Sequence, residues 1–172
     1  MSLLATIAAF VAMLLTGAIA GFFYAWSCST MLGLDAIDPR HAIEAMQAIN
    51  RLIVNPVFAP GFFGTPIALL LTSGLFFLAR MRTSGLLALL AFLAYAVGAF
   101  GVTVVVNVPM NEALGATAIP DDVEAAHRIW QDYSPAWTAW NHLRTAASLS
   151  ALLLIGLALY VAGRHQAVQA GH

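Results

Sequence analysis

Four stretches of the chain carry no charged side chain: residues 1–34, 52–79, 83–111 and 145–163. A helix crosses a hydrocarbon core of roughly 30 Å with about 20 apolar residues. Each run meets that length or falls within a residue of it. They predict membrane-spanning helices over Leu3–Ser27, Phe58–Ala79, Ser84–Val106 and Pro135–Gly163. Between the first two, polarity returns with a helical period. Asp38-Pro39 reads as a helix start, a capping carboxylate followed by proline at the first helical position. Arg40, Glu44, Gln47, Arg51 and Asn55 then form one polar stripe, with Ile43, Met46, Ile49 and Ile53 on the other face. The stripe ends at Asn55-Pro56, because a residue before proline avoids the helical region. The pattern predicts an amphipathic helix over residues 39–54, lying on the membrane surface or folded over the bundle. The fold class is therefore all-α: one integral-membrane domain over 1–172, an antiparallel four-span bundle with a surface helix between spans 1 and 2.

Composition agrees. The chain is 61% hydrophobic and 9% charged, against about 45–50% and about 25% in an ordinary soluble domain. Its cations are all arginine, with no lysine. That excludes a soluble cytoplasmic enzyme, a nucleic-acid binder and a disordered chain. The first run lacks a basic start and a small-x-small cleavage site, so it is expected to be a span rather than a signal peptide. Cys28, alone, makes no internal disulfide and is expected to be a small buried apolar residue.

Four spans put the N-terminus, the 80–82 turn and the tail with His165 and His172 on one side. That side holds Arg80, Arg82 and Arg164 and no acid; the other holds four arginines and all eight acids. Short basic loops dominate orientation, so both termini are expected in the cytoplasm of an inner or plasma membrane. Nearly every polar side chain then falls on the far face, in the connections 28–57 and 107–134. Gly17 with Gly21, and Gly98 with Gly101, read as packing devices.

Two stretches carry candidate chemistry. In Asn107-Val108-Pro109-Met110-Asn111, proline is expected to break the third span and leave two carboxamides at the boundary. The second runs from Trp130 to Arg144. Ser134-Pro135 reads as a cap and first turn, after which Trp137, Asn141, Arg144 and Ser148 form one stripe flanked by Trp140 and His142. An aromatic belt accounts for Tyr133 and the tryptophans. Asn141, His142 and Arg144 on the inner side favour an aromatic-walled polar pocket, since ionisable groups near membrane depth are functional by default. Glu44, Asn50 and Arg51 would meet that pocket if the surface helix is a lid.

The order of Gly21–Ser27, Glu44–Arg51, Asn55–Phe58, Asn107–Asn111 and Trp137–Arg144 resembles the family of small four-span membrane proteins named after fungal anthrone oxygenases. The likeness runs from roughly Gly17 to Leu159. It implies oxygenation of an anthrone to an anthraquinone, with molecular oxygen as co-substrate and no known organic cofactor. Such chemistry needs a base, an oxyanion stabiliser, an aromatic slot and exclusion of water. His142 suits the base; Arg144, Asn141 and Asn111 suit the stabiliser; Trp137, Trp140 and Tyr133 suit the walls, with Asn107 nearby. A metal reading through His41, Glu44, His127 and His142 is disfavoured, because no two histidines share a helix at ligand spacing. A different class stays open: a non-enzymatic module binding a lipid, quinone or hydrophobic metabolite, or an accessory subunit. Self-association is equally open. A transporter or channel is disfavoured, since the spans are expected to hold no buried acid or arginine and no broken helix apart from the Pro109 end.

Overall fold

A computed structural model describes residues 3–170 as helices and short connections, with no strand among them. Helix α1 (Leu3–Ala25) passes through a π-helical turn at Trp26–Thr30 into α2 (Met31–Asp35). The separate helix α3 covers Pro39–Leu52. A tight turn joins α4 (Phe58–Leu78) to α5 (Arg82–Tyr95). Beyond α5 the backbone continues through π-helical turns at Ala96–Gly101 and Thr103–Asn107 into α6 (Val108–Gly115). The last helix, α7, is Val123–Ala170. Among the described residues, four continuous rods are long and apolar enough to cross a membrane: Leu3–Asp35, Phe58–Leu78, Arg82–Gly115 and Val123–His165. The first and third each pack on the second and fourth, so the rods close an antiparallel ring. The expected all-α four-span bundle with an extra amphipathic helix is the fold. His172 lies outside the described residues.

Small residues hold the ring together, as expected where lipid removes the hydrophobic drive between helices. Ala5, Ala9, Ala12 and Thr16 of α1, Ala88 and Ala91 of α5, and Ala151, Ala158 and Ala162 of α7 are all buried. Gly98 is the closest approach: a Cβ there would stand 2.5 Å from the Ala147 Cβ. The expected Gly17/Gly21 seam is not one. A Cβ on Gly17 would have ordinary room, 3.8 Å from Leu152, and one on Gly21 would meet nothing. Cys28, expected buried, is exposed.

Prolines explain why the rods outrun their predicted ends. Pro109 does not break the third span. The π-helical turn just before it gives the ring room, and the helix resumes with Pro109 in its first turn. Nor does Pro135 begin a helix; it lies inside α7. The Ser134 hydroxyl that would have capped a new helix donates instead to Asp35 Oδ1 at 2.6 Å. At Pro66, inside α4, the carbonyl four residues back loses its amide partner, and the buried Tyr95 hydroxyl donates to that Phe62 oxygen at 2.9 Å. At 1.5 Å per residue α7 is about 72 Å long, more than twice a hydrocarbon core. It therefore projects well beyond the membrane.

The α4–α5 turn ends in a Schellman motif. Met81 N–H donates to Phe76 O and Arg80 N–H to Phe77 O, both at 2.9 Å, and Arg80 has a φ of 59°. At the opposite end of the bundle, α3 is clamped at three points. Asp38 caps it, accepting from the Arg40 N–H at 2.9 Å and from the Arg40 guanidinium, which holds the Asp38 carboxyl down at about 2. Arg40 also donates to Asp121 O, and Gln47 Nε2 donates to the carbonyls of Leu114 and Thr117. Ala42, Ile43 and Met46 are buried against Trp26, Trp130, Tyr133 and Trp137.

Candidate functional site

Trp137, Asn141, Arg144 and Ser148 face the bundle interior as one buried stripe of α7. Opposite them the third rod runs antiparallel, with Gly98 against Ala147, Thr103 against Arg144, and Asn111 against Trp137 and Tyr133. Asn107 therefore falls near the level of Asn141. It is fully buried, and neither of its amide atoms has a hydrogen-bond partner. Ser148 Oγ, Arg144 Nε and Asn50 Nδ2 are buried without partners too. Polar atoms this deep are normally satisfied, so these side chains are candidates to meet a polar group of a ligand.

Beside them lies a cavity of about 180 Å³. Its aromatic wall comes from Phe22 and Phe23 at the end of α1 and Trp26 just beyond it, from Phe58, Phe62 and Phe63 of α4, and from Trp137. The π-helical turn starting at Trp26 marks where this wall meets α2. Ile49, Asn50 and Ile53 close the side contributed by α3 and the linker after it. The polar lining is Arg144, Asn111, Asn50 and Thr103.

Arg144 dominates the electrostatics. Only 4% exposed, it is the one buried charged side chain among the described residues. Its Nη2 donates to Asn141 Oδ1 at 3.0 Å and its Nη1, more weakly, to Thr103 Oγ1 at 3.3 Å. The guanidinium carbon lies 4.8 Å from the ring centroids of both Phe23 and Trp137. No carboxylate among the described residues pairs with it. Around it the amides are fixed as donors. Asn111 Oδ1 accepts from Tyr133 Oη and Trp137 Nε1, each at 2.8 Å, so what Asn111 can still offer is N–H. Asn141 Nδ2 donates to Phe23 O and Ser27 Oγ. A cavity with an unpaired cation, spare amide donors and aromatic walls suits a flat ligand with an anionic or carbonyl oxygen.

The structure thus brings Arg144, Trp137, Asn111 and Asn50 to one cavity, with Asn141, Tyr133 and Asn107 buried around it. It does not bring His142 or Trp140 there. Both are exposed, Trp140 by 40%. A helix turns 100° per residue, so burying Asn141 sends its neighbour away. His142 instead lines a polar groove of about 410 Å³ with Asp35 and Ser134, its Nδ1 2.9 Å from Ser27 Oγ. The single-cavity expectation fails for these two residues, and Asn141 and Asn107, though buried beside the cavity, do not line it. Glu44 and Arg51 are likewise exposed, because the polar stripe of α3 turns to solvent while Asn50, on its apolar side, turns inward. His41 and His127 are also exposed, and no three of His, Cys, Asp or Glu converge to hold a metal among the described residues.

Sequence reasoning missed Phe22, Phe23 and Trp26, which supply much of the aromatic wall, and Ser27, which ties Asn141 to His142. Their signal was the clustering of aromatic residues and serine at the end of the first charge-free run.

Fold and site together define a polytopic membrane protein with an aromatic, cation-bearing internal cavity. The family described as Anthrone oxygenase matches residues 57–154, more than half of the chain, and the protein belongs to that family. The match takes in α4 to α6 and most of α7; the resembling segments at 21–27 and 44–51 lie outside it. Neither the curated proteins nor the solved structures offer a significant match.

Proposed function

We propose that the cavity binds a flat, hydrophobic phenolic or polyketide-type carbon acid as its conjugate base and exposes that anion to molecular oxygen, without an organic cofactor. The observation that carries this reading is Arg144: a buried guanidinium with no carboxylate, held between two aromatic rings at the cavity wall.

An anthrone loses a methylene proton to water and becomes an electron-rich aromatic alkoxide, whose oxygen would lie on Arg144 with Asn111 and Asn50 as further donors. The alkoxide passes one electron to dioxygen, and the radical pair joins through a new C–O bond. The resulting peroxide takes up a proton, and loss of water leaves the second carbonyl. In sum, anthrone and O₂ give anthraquinone and H₂O. Apart from Arg144, no charged side chain and no histidine among the described residues lines the cavity, so this reading makes anion stabilisation, rather than proton abstraction by His142, the protein's main contribution. Asn141 orients the guanidinium, His142 holds Asn141 through Ser27, and Tyr133 fixes Asn111. Trp140 belongs to the membrane boundary.

Purified protein in lipid vesicles with anthrone in air should form quinone with equimolar oxygen uptake, at least about tenfold above protein-free vesicles. A rate equal to that background overturns the oxygenase reading. Tryptophan quenching by anthraquinone in the same sample would then leave a non-enzymatic module binding quinones or similar metabolites. The acid-free end, with Arg80, Arg82 and Arg164, orients both termini to the cytoplasm of an inner or plasma membrane. Reporter fusions at Arg82 and at the C-terminus should both read cytoplasmic, and an outside signal from either overturns that topology.

A further inference from the structure

A second hollow, of about 520 Å³, adjoins the cavity on the flank of the bundle between α1 and α4, beneath the 53–57 linker. Phe22, Ile53 and Phe58 line both spaces. The rings of Phe22 and Phe58 meet edge to face with centroids 5.2 Å apart, a partition of two side chains. The walls are apolar apart from Asn55, whose side chain is fully engaged. Its Nδ2 donates to the Leu52 and Ile53 carbonyls, and its Oδ1 accepts from the Val57 and Phe58 amides. Gly61 opens the floor, since a Cβ there would meet nothing within 4 Å. Above it, Leu52, Val54 and the lining residue Val57 are 72%, 70% and 90% exposed. Three such side chains at the end of α3 and in the linker after it would be costly in water and are at home against lipid. The polar groove at Asp35 and His142, by contrast, shares no lining residue with the cavity.

We infer that this hollow is a lateral port through which the aromatic substrate passes from the bilayer into the cavity, with Phe22 and Phe58 as its partition. This rests on the functional reading above. A flat apolar molecule partitions into lipid and so reaches the flank of the bundle at far higher concentration than the aqueous end. The port admits it without crossing the polar groove, and parting two rings opens the route without unfolding a helix.

The test uses full-length protein with Cys28→Ser, which removes the exposed native thiol. Gly61→Cys is then introduced, in vesicles, and capped with a bulky maleimide. Anthraquinone is added by stopped flow, and quenching of the cavity tryptophans Trp26 and Trp137 is followed. The uncapped variant is the reference. The capped variant should associate and dissociate at least about tenfold more slowly, with the same final quenching, because a blocked door changes rates and not affinity. Unchanged rates, or reduced final quenching alone, would overturn the port. So would equal slowing by a cap at Leu153→Cys, an exposed position on α7. Absence of quenching in the parent would refute the functional reading itself, and the port falls with it.

Discussion

Replacing Arg144 by methionine separates stability from function. The guanidinium is held by two cation–π contacts at 4.8 Å and one good hydrogen bond at 3.0 Å. Desolvated cation–π contacts contribute about 2 kcal/mol each, and a hydrogen bond to a charged group about 2 kcal/mol. Against this sum of about 6 kcal/mol stands the effective penalty of burying an ion, several kcal/mol. The two nearly cancel, and methionine fills similar space without the penalty. Arg144→Met should therefore melt within about 2 kcal/mol of the parent in detergent or vesicles. Its kcat/KM for anthrone should fall by about 10²–10³-fold, equivalent to about 2.7–4 kcal/mol, the scale for a lost oxyanion donor. Arg144→Lys should recover little, because an ammonium has neither the planar stack nor the forked donors. The assays are a thermal melt and quinone formation with matched oxygen uptake. A large loss of stability with unchanged turnover per folded molecule would refute the reasoning and make Arg144 a structural clamp.

His142→Ala should lower turnover by less than about threefold, since the imidazole acts only through Ser27 and Asn141; a loss above about a hundredfold would make it the base. Gly98→Ala should destabilise by about 1–3 kcal/mol, with Ala147→Gly restoring part of that in the double variant, because the two Cβ atoms would stand 2.5 Å apart. Additive losses would show that the helices do not meet there. The Asp38 carboxyl should titrate near 2 by NMR, and Arg40→Ala should return it toward 3.8. Since Asp38 is depressed in the fold, its support of α3 is complete above 3.8 and lost as pH falls through about 2.

Spans and surface helix were legible because each rests on a strong periodic or compositional signal. The stripe Trp137, Asn141, Arg144 and Ser148 was legible for the same reason, and all four are buried. What was not legible depends on rotation and on distant partners. His142 differs from Asn141 by one residue, and only the packing of α7 on α1 decides which of the pair turns inward. Glu44 and Arg51 drew attention as charges, yet charges on an amphipathic helix seek water, and the inward residue is the uncharged Asn50. Phe23 and Trp26 lie in a charge-free run that does not say which neighbour they face, and only the placing of α7 beside them makes them cavity walls. Ser134-Pro135 obeyed the local rule for a helix start and was overridden by a hydrogen bond to Asp35, 99 residues away in the chain.

The π-helical turns at Ala96–Gly101 and Thr103–Asn107 have a genetic consequence. A helix of this kind carries an extra residue in its turn, so the site is encoded partly by how many residues precede it. Exchanging Val104 or Val105, both exposed, for another aliphatic would leave that spacing intact. Deleting one codon there would remove the extra residue and let the turn close to α-helix, with Asn107 and Asn111 kept on the cavity side. Inserting one there has no such slack and would rotate everything beyond by about 100°. Frame-preserving deletion and insertion at one codon should therefore differ at the site while both leave the span intact, a contrast that substitution scans never sample.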